Sequence, residues 1–533
     1  MVNASNSAGS RSFAAPVIHP YSNEVLYELL GKRPSSSKDL TEDRTRYFHK
    51  YLSDLAAATI VVEYDYVDGD YLDDYASYYV KCFSDYGRRC QRLHFFSAGF
   101  TEPEFLNAVR DPASPLLETL YESYLGFLVV RPLPEATIGR TVLKAYKDDD
   151  RRRFPCVRKY RVNLFGLEFT LDSLAYQEQD EVLAACATVS LWCSFSKTTE
   201  LFGSASPTPA EITNSATNVI YFSRSTPSAG LKVQQMCSAI RHVGLEPEVL
   251  PIKQETPLAS LVYSYVKMGL PTILGVEIEG RGPHAITVAG YSMRGDISQE
   301  ERMALPARHL VAEQTLPTVA RSIDRFYCHD DQIGPFSRIW IKSPTQEKYP
   351  LEFEGSWRDA STETPLRMRP LVAIIPVYNK IRINFLDVHK WLMRIHLVFR
   401  HLLDERFDLE WKLYLTTSNG YKAKLRRAQE IDRDFAVKIC LNPHPRFLWR
   451  ALLKSNGNPL VEFLIDATGI AAAVPMYQAI WFDEFIRTRL NELLLQDGLS
   501  DSAKMALRYR LWESMVKCSE HQLVTLNSGD FNK

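Results

Sequence analysis

Three short pieces, far apart in the chain, carry residue types that together perform acyl transfer. They are Gln179-Asp180 ahead of Cys186-Ala187, Pro283-His284-Ala285 at the head of an apolar run, and Cys328-His329-Asp330-Asp331. A thiol attacks a carbonyl efficiently only when a base holds its proton and donors receive the developing oxyanion. Gln179, seven residues before Cys186, is spaced so that a side-chain amide on the entering loop reaches the space beside the sulfur. A helix starting near Cys186 would set backbone N–H groups and a positive helix end at the thiol, depressing its pKa from about 8.5 into the range of roughly 3.5 to 7.5. Glu181 to Ala185 contains no glycine or proline, so a start at Asp180 is the alternative. It would leave Cys186 in the second turn and shift more of the activation onto the histidine.

His284 follows the glycine-rich approach Glu279-Gly-Arg-Gly-Pro283 and precedes a small residue and an apolar strand, as a base facing a thiol across a cleft would. Asp330 ends the next strand and is the expected orienting acid, with Asp331 as the alternative acid. His329 is the alternative base, and in that case His284 would be structural. Cys193 and Cys328 read as core residues.

Gln179, Cys186, His284 with Ala285-Ile-Thr-Val-Ala-Gly-Tyr291, and Asp330 resemble the papain-like cysteine peptidase superfamily, nearest the bacteriocin-processing (double-glycine leader) peptidases and their bacterial relatives. The resemblance covers residues 156 to 345. It implies a Cys/His/Asp triad with Gln179 in the oxyanion hole, and cleavage of a peptide or isopeptide bond without cofactor or metal. Two departures stand out: Ala187 occupies the place where those peptidases carry glycine, and a long insertion precedes Asp330. The transporter domains that often accompany such peptidases are absent. The implied substrate is a peptide or a specific protein partner inside a bacterial cell. Transglutaminase or amidase chemistry on the same residues is one alternative, and a non-catalytic scaffold or sensor with a degenerate papain-like domain is the other.

The composition restricts the partners. Lys plus Arg, 63, nearly balance Asp plus Glu, 64, which argues against a chain devoted to nucleic acid. Nine scattered cysteines without a CxxC pair argue for reduced thiols and a cytoplasmic location. Neither a signal-peptide pattern nor an apolar run approaching the roughly 18 residues of a membrane span is present, so no membrane partner is expected.

An α+β fold must position these residues. Residues 1–45 read as a partly disordered leader, 46–150 as an N-terminal α/β unit, 151–345 as the papain-like domain and 346–533 as a C-terminal α/β domain. In the first unit, Thr59 onward and Leu125 onward read as strands, with a helix over 71–83 capped by Asp70. Tyr160 to Leu171 reads as a hairpin reversing at Gly166, followed by a buried helix around Cys186. Runs at 271–278, 285–291, 325–328 and 338–341 give a four-strand sheet, with an inserted helical segment over 293–320. A restart after Thr345 predicts strands at 370–377, 411–415 and 461–468, and helices over 385–403, 480–495 and 502–516. The helix over 385–403 carries His389, Lys390, Arg394, Arg400 and His401 around an apolar stripe, which predicts a solvated basic face.

Overall fold

β-Branched and aromatic runs form three antiparallel sheets and a separate hairpin in the computed structural model, which describes residues 16–31, 40–134, 137–149, 151–180, 185–218, 230–295, 316–359, 362–403, 407–428, 432–469 and 476–495. The fold is mixed α/β.

The first sheet runs in chain order through β1 (Val17–Pro20), β2 (Thr59–Tyr66), β3 (Cys90–Phe96), β4 (Tyr124–Val130) and β5 (Ile138–Leu143). Helices α1 (Asn23–Leu29), α2 (Leu40–Asp54), α3 (Gly69–Ser77), α4 (Glu102–Arg110) and α5 (Leu116–Ser123) connect or cover it. Every residue of β4 is buried, because Leu125 and Leu128 face one core and Phe127 and Val129 the other. Two local expectations need correction. β1, inside the stretch read as a leader, pairs with β2 from Val17↔Val62 to Pro20↔Thr59, its branched residues serving as an edge strand. The cap of α3 is Asp68, whose carboxylate accepts from the Tyr71 N–H, while Asp70 turns to Arg140.

The hairpin of β6–β8 territory follows the sequence closely. After β6 (Arg152–Arg153), β7 (Arg158–Leu164) and β8 (Leu167–Ser173) are joined by Phe165 and Gly166, both at positive φ (49° and 89°). That is the two-residue turn whose twist matches paired strands. Next come α6 (Cys186–Phe202), α7 (Pro209–Thr217), α8 (Val233–His242), β9 (Leu245–Pro251) and α9 (Leu258–Val266).

Six strands then close a barrel: β10 (Thr272–Ile278), β11 (Gly282–Met293), β12 (Ile323–Asp330), β13 (Gly334–Lys342), β14 (Glu352–Arg358) and β15 (Pro365–Tyr378), with β15 pairing back onto β10. The four strands expected at 271–341 are therefore joined by two from beyond Thr345, the point where a separate C-terminal unit was expected to begin. The buried helix α6 lies on this barrel, and the Thr287 hydroxyl of β11 donates to the Ser190 carbonyl at 3.0 Å. Most of the insertion expected over 293–320 lies outside the described residues.

The last sheet runs β16 (Leu409–Thr417), β17 (Phe447–Ser455), β18 (Asn458–Asp466) and β19 (Met476–Trp481). One face, with Trp411, Leu413, Trp449 and Phe463, packs on Phe385, Val388, Leu392 and Phe399 of α10 (Phe385–Leu402). The other face is covered at one end by α11 (Ser418–Arg427) and α12 (Arg433–Leu441) through Tyr421, Leu425, Ala436 and Ile439. The helix expected from Ile480 starts instead at Glu484, as α13 (Glu484–Leu495), and residues 502–516 lie outside the described residues. His389 does not belong to a solvated basic face: it is buried, and burial lowers its pKa to about 4.

Candidate active site

Cys186 is the first residue of α6, with Ala185 as the extended N-cap, and every residue from Ala187 to Thr198 is buried. The helix therefore starts at the cysteine and not at Asp180. Half-buried Cys186 sits at the N-terminal end of this helix, where unsatisfied N–H groups and the positive helix end concentrate.

His284 enters from β11, whose pairing with β10 sets it opposite Val276. Its ring is only 6% exposed. Nε2 donates to Asp330 Oδ1 at 3.0 Å, and the Cys186 side chain lies near enough to the ring to raise its proton affinity. Burial pulls the imidazole pKa down, but the Asp330 charge and hydrogen bond, the Cys186 contact and the Asp331 charge together raise it well above its ordinary value. The arrangement favours an imidazolium between a sulfur and a carboxylate.

Asp330 is held on every side. Burial pushes its pKa up, yet the His284 charge, the His284 hydrogen bond, the Trp357 indole N–H at 2.8 Å and the Gln332 backbone N–H at 3.1 Å leave it below the usual carboxylate range. Trp357 also stacks edge-on against the His284 ring, with centroids 5.4 Å apart at 73°. It arrives on β14, beyond the boundary expected at 345, and was missed as a site residue. An isolated tryptophan in a short alternating run was the only signal.

The neighbouring carboxyl behaves differently. Asp331 Oδ1 lies 3.5 Å from the same His284 Nε2, but neither of its buried oxygens has a hydrogen-bond partner. Burial raises its pKa to about 7, the Asp330 charge adding to the effect while His284 and Arg44 oppose it. Two adjacent acids thus differ in state: Asp330 is the ionised partner of His284, and Asp331 holds a proton close to neutral pH.

His329, the alternative base, is committed elsewhere. The Phe336 N–H donates to its Nδ1 at 3.0 Å, so its Nε2–H donates to the Leu174 carbonyl at 3.0 Å, and burial lowers its pKa to about 4. It is a neutral imidazole with both nitrogens occupied by backbone. Cys193 and Cys328 are buried, and burial raises both thiols well above their ordinary pKa.

Gln179 is half-buried between two clamped neighbours. Glu178 accepts from the Ile138 N–H at 2.9 Å and pairs with Arg44, and Asp180 accepts from the Tyr79 hydroxyl at 2.9 Å. These contacts fix where Gln179 leaves the first sheet. Residues 181–184, which join it to α6, lie outside the described residues. Gln177, two residues earlier, is buried with its amide Nε2 unpartnered, and its backbone contacts the Cys193 thiol.

One donor set suits a cation. His284, Asp330 and Asp331 each offer a ligand atom, all within 4.8 Å of one another. The His284 and Asp330 atoms already share a proton, so a divalent ion would bind there only by displacing it.

Among the described residues, no helix is long and apolar enough to cross a membrane. Comparison with family models, curated proteins and solved structures finds no match.

Proposed function

We propose that this chain is a thiol hydrolase that cleaves a peptide or isopeptide bond through Cys186, His284 and Asp330, with a papain-like domain as its framework. The observation that carries the reading is the convergence of Cys186, at the first turn of a buried helix, on the neighbourhood of His284, whose Nε2 bonds Asp330 at 3.0 Å. These residues come from segments about 100 and 50 residues apart in sequence, and their convergence supports a nucleophile–base–acid reading.

The chemistry proceeds in two halves. The Cys186 sulfur attacks the carbonyl carbon, forming a C–S bond and an oxyanion received by the Gln179 amide and the Cys186 backbone N–H. His284 then gives its proton to the leaving nitrogen as the C–N bond breaks, and a thioester remains. Water attacks that thioester, His284 takes the water proton, and the C–S bond breaks to release the acid and restore the thiolate–imidazolium pair. Asp330 holds the imidazole throughout, steadied by Trp357. Free thiols among the described residues support action in a reducing compartment such as the cytoplasm. The substrate class proposed is a peptide or protein.

The test uses a peptidyl electrophile that reacts only with nucleophilic thiols. Wild type should carry one adduct on Cys186, Cys186→Ala none, and His284→Ala a much slower one. Mass analysis of an acyl-enzyme trapped from peptide libraries, chased with water or with a primary amine, separates hydrolysis from transglutaminase-type transfer. Absence of any adduct in folded protein would favour a binding scaffold.

A further inference from the structure

Strand register on the last sheet brings cations together that are far apart in sequence. β16 and β17 pair Glu410↔Lys454, Lys412↔Leu452 and Tyr414↔Arg450, so these side chains share one face of the sheet, opposite the apolar face that packs on α10. Glu462 lies across from Leu452 on β18. Lys424 sits in the last turn of α11 and Lys267 caps the end of α9, two helices that pack against β16.

At the centre is a closed pair. Arg450 binds Glu462, donates to the Tyr414 hydroxyl at 2.5 Å and lies 5.4 Å over the Tyr421 ring, while the Tyr421 hydroxyl donates to Glu462 at 3.0 Å. Glu462 is therefore spent on Arg450. The other nearby carboxylates are engaged as well, Glu410 by Arg321 at 3.1 Å and Asp148 by Arg153 at 3.5 Å. Among the described residues, no carboxylate lies within ion-pair distance of Lys267, Lys412 or Lys424.

Burial, then the charges of Lys424, Lys267, Arg450 and Lys454, push Lys412 well below its ordinary pKa. Burial, then Arg450, lowers Lys424 to about 7, with Glu462 opposing. Lys267 is lowered by burial and by Arg153, with Asp148 opposing. Lys267, Lys412 and Lys424 are nonetheless only half-buried, so solvent reaches them. Half-enclosed lysines with no matching anion are pushed toward the neutral amine, and keeping their charge costs folding free energy unless something else supplies the opposite sign. Lysine is a compact point charge suited to phosphate oxygens, and several of them match a group with more than one negative charge.

We propose that the recess between the β16–β17 face and the end of α9 binds a small anion bearing two or more phosphates, held by Lys267, Lys412, Lys424 and Lys454 around the Arg450–Glu462 pair. The site does not depend on Cys186 chemistry, and it would make the C-terminal sheet a ligand-sensing or ligand-stabilised element.

The probe is inorganic pyrophosphate, titrated calorimetrically into the full chain against sodium chloride of equal ionic strength. Binding at one site per chain is expected, together with a higher unfolding temperature. Lys412→Met and Lys424→Met should each weaken binding about tenfold, the loss of one charge-assisted contact. Each should also raise the unfolding temperature of the ligand-free protein, because each removes a repelling charge. Lys81→Met, at an exposed helix end, should change neither. Absence of pyrophosphate binding to wild type, unaltered affinity in both recess variants, or a lower ligand-free unfolding temperature in both would overturn the proposal. The last result would mark the lysines as structural.

Discussion

Two charged clusters among the described residues are built on opposite plans. Around His284 unlike partners sit within hydrogen-bond distance: imidazole, Asp330, then the Trp357 indole. On the β16–β17 face, like charges crowd one another and the single buried carboxylate is already taken by Arg450. In the first cluster His284 and Asp330 are partnered without a ligand and can keep a proton poised. The second is satisfied only by charge from outside. Complementary pairing prepares a group for chemistry, whereas uncompensated repulsion prepares a surface for binding.

The comparison can be broken most decisively at the thiol. Cys186→Ala and His284→Ala should each lower turnover of any cleaved peptide by at least about 10⁴-fold, the scale seen when a nucleophile or its base is removed. Asp330→Asn should follow with a loss of about 10²–10⁴-fold, since it removes the charge that holds the imidazolium. Single-turnover rates measure all three.

The two acids sharpen the contrast through pH. A raised folded pKa on His284 means that its stabilising contribution is full below the ordinary histidine value of about 6.5 and is lost as pH rises through the raised value. Asp331 acts in the same direction, at lower pH. Its carboxyl is raised to about 7, so deprotonation is penalised in the folded state, and stability falls as pH climbs from about 4 through 7. Asp331→Asn should therefore match wild type near pH 4 and exceed it at pH 8 by a few kcal/mol, on the order of 1.4 kcal/mol per pKa unit. Denaturant unfolding at the two pH values reads the difference.

Smaller effects are expected at the supporting ring. Trp357→Phe keeps the edge-on contact with His284 but removes the 2.8 Å donor to Asp330. It should cost about 1–3 kcal/mol of stability, measured by urea unfolding, because a buried charged acceptor loses a partner. The smallest changes, and the gains from losing a cation, are the rises in ligand-free unfolding temperature expected for Lys412→Met and Lys424→Met.

What the sequence could reveal tracks how local each feature is. The β7–β8 hairpin was legible because alternation and a glycine at positive φ act within a few residues. Cys186 and His284 stood out because each opens an apolar element after a distinctive approach. The choice between Asp330 and Asp331 was not legible, since adjacent carboxyls differ only in which one the end of β12 turns toward His284. β14 was missed because Glu352-Phe-Glu-Gly-Ser-Trp-Arg358 is short, polar and interrupted by glycine, and it becomes a strand only as the link that closes the barrel. Trp357 was lost with it. The lysine recess was beyond sequence reading, because Lys267, Lys412, Lys424 and Lys454 converge only through cross-strand register and helix packing.

The central claim is that Cys186 is a nucleophile prepared by His284. Timed alkylation of the folded full chain with iodoacetamide at pH 6, followed by peptide mass analysis, addresses it most directly, because an ordinary thiol of pKa about 8.5 is almost wholly protonated there. Cys186 should be modified at least about tenfold faster than half-buried Cys82, Cys237 and Cys440, and His284→Ala should bring its rate down to theirs. A Cys186 rate no higher than theirs, or one unchanged by His284→Ala, would contradict the account.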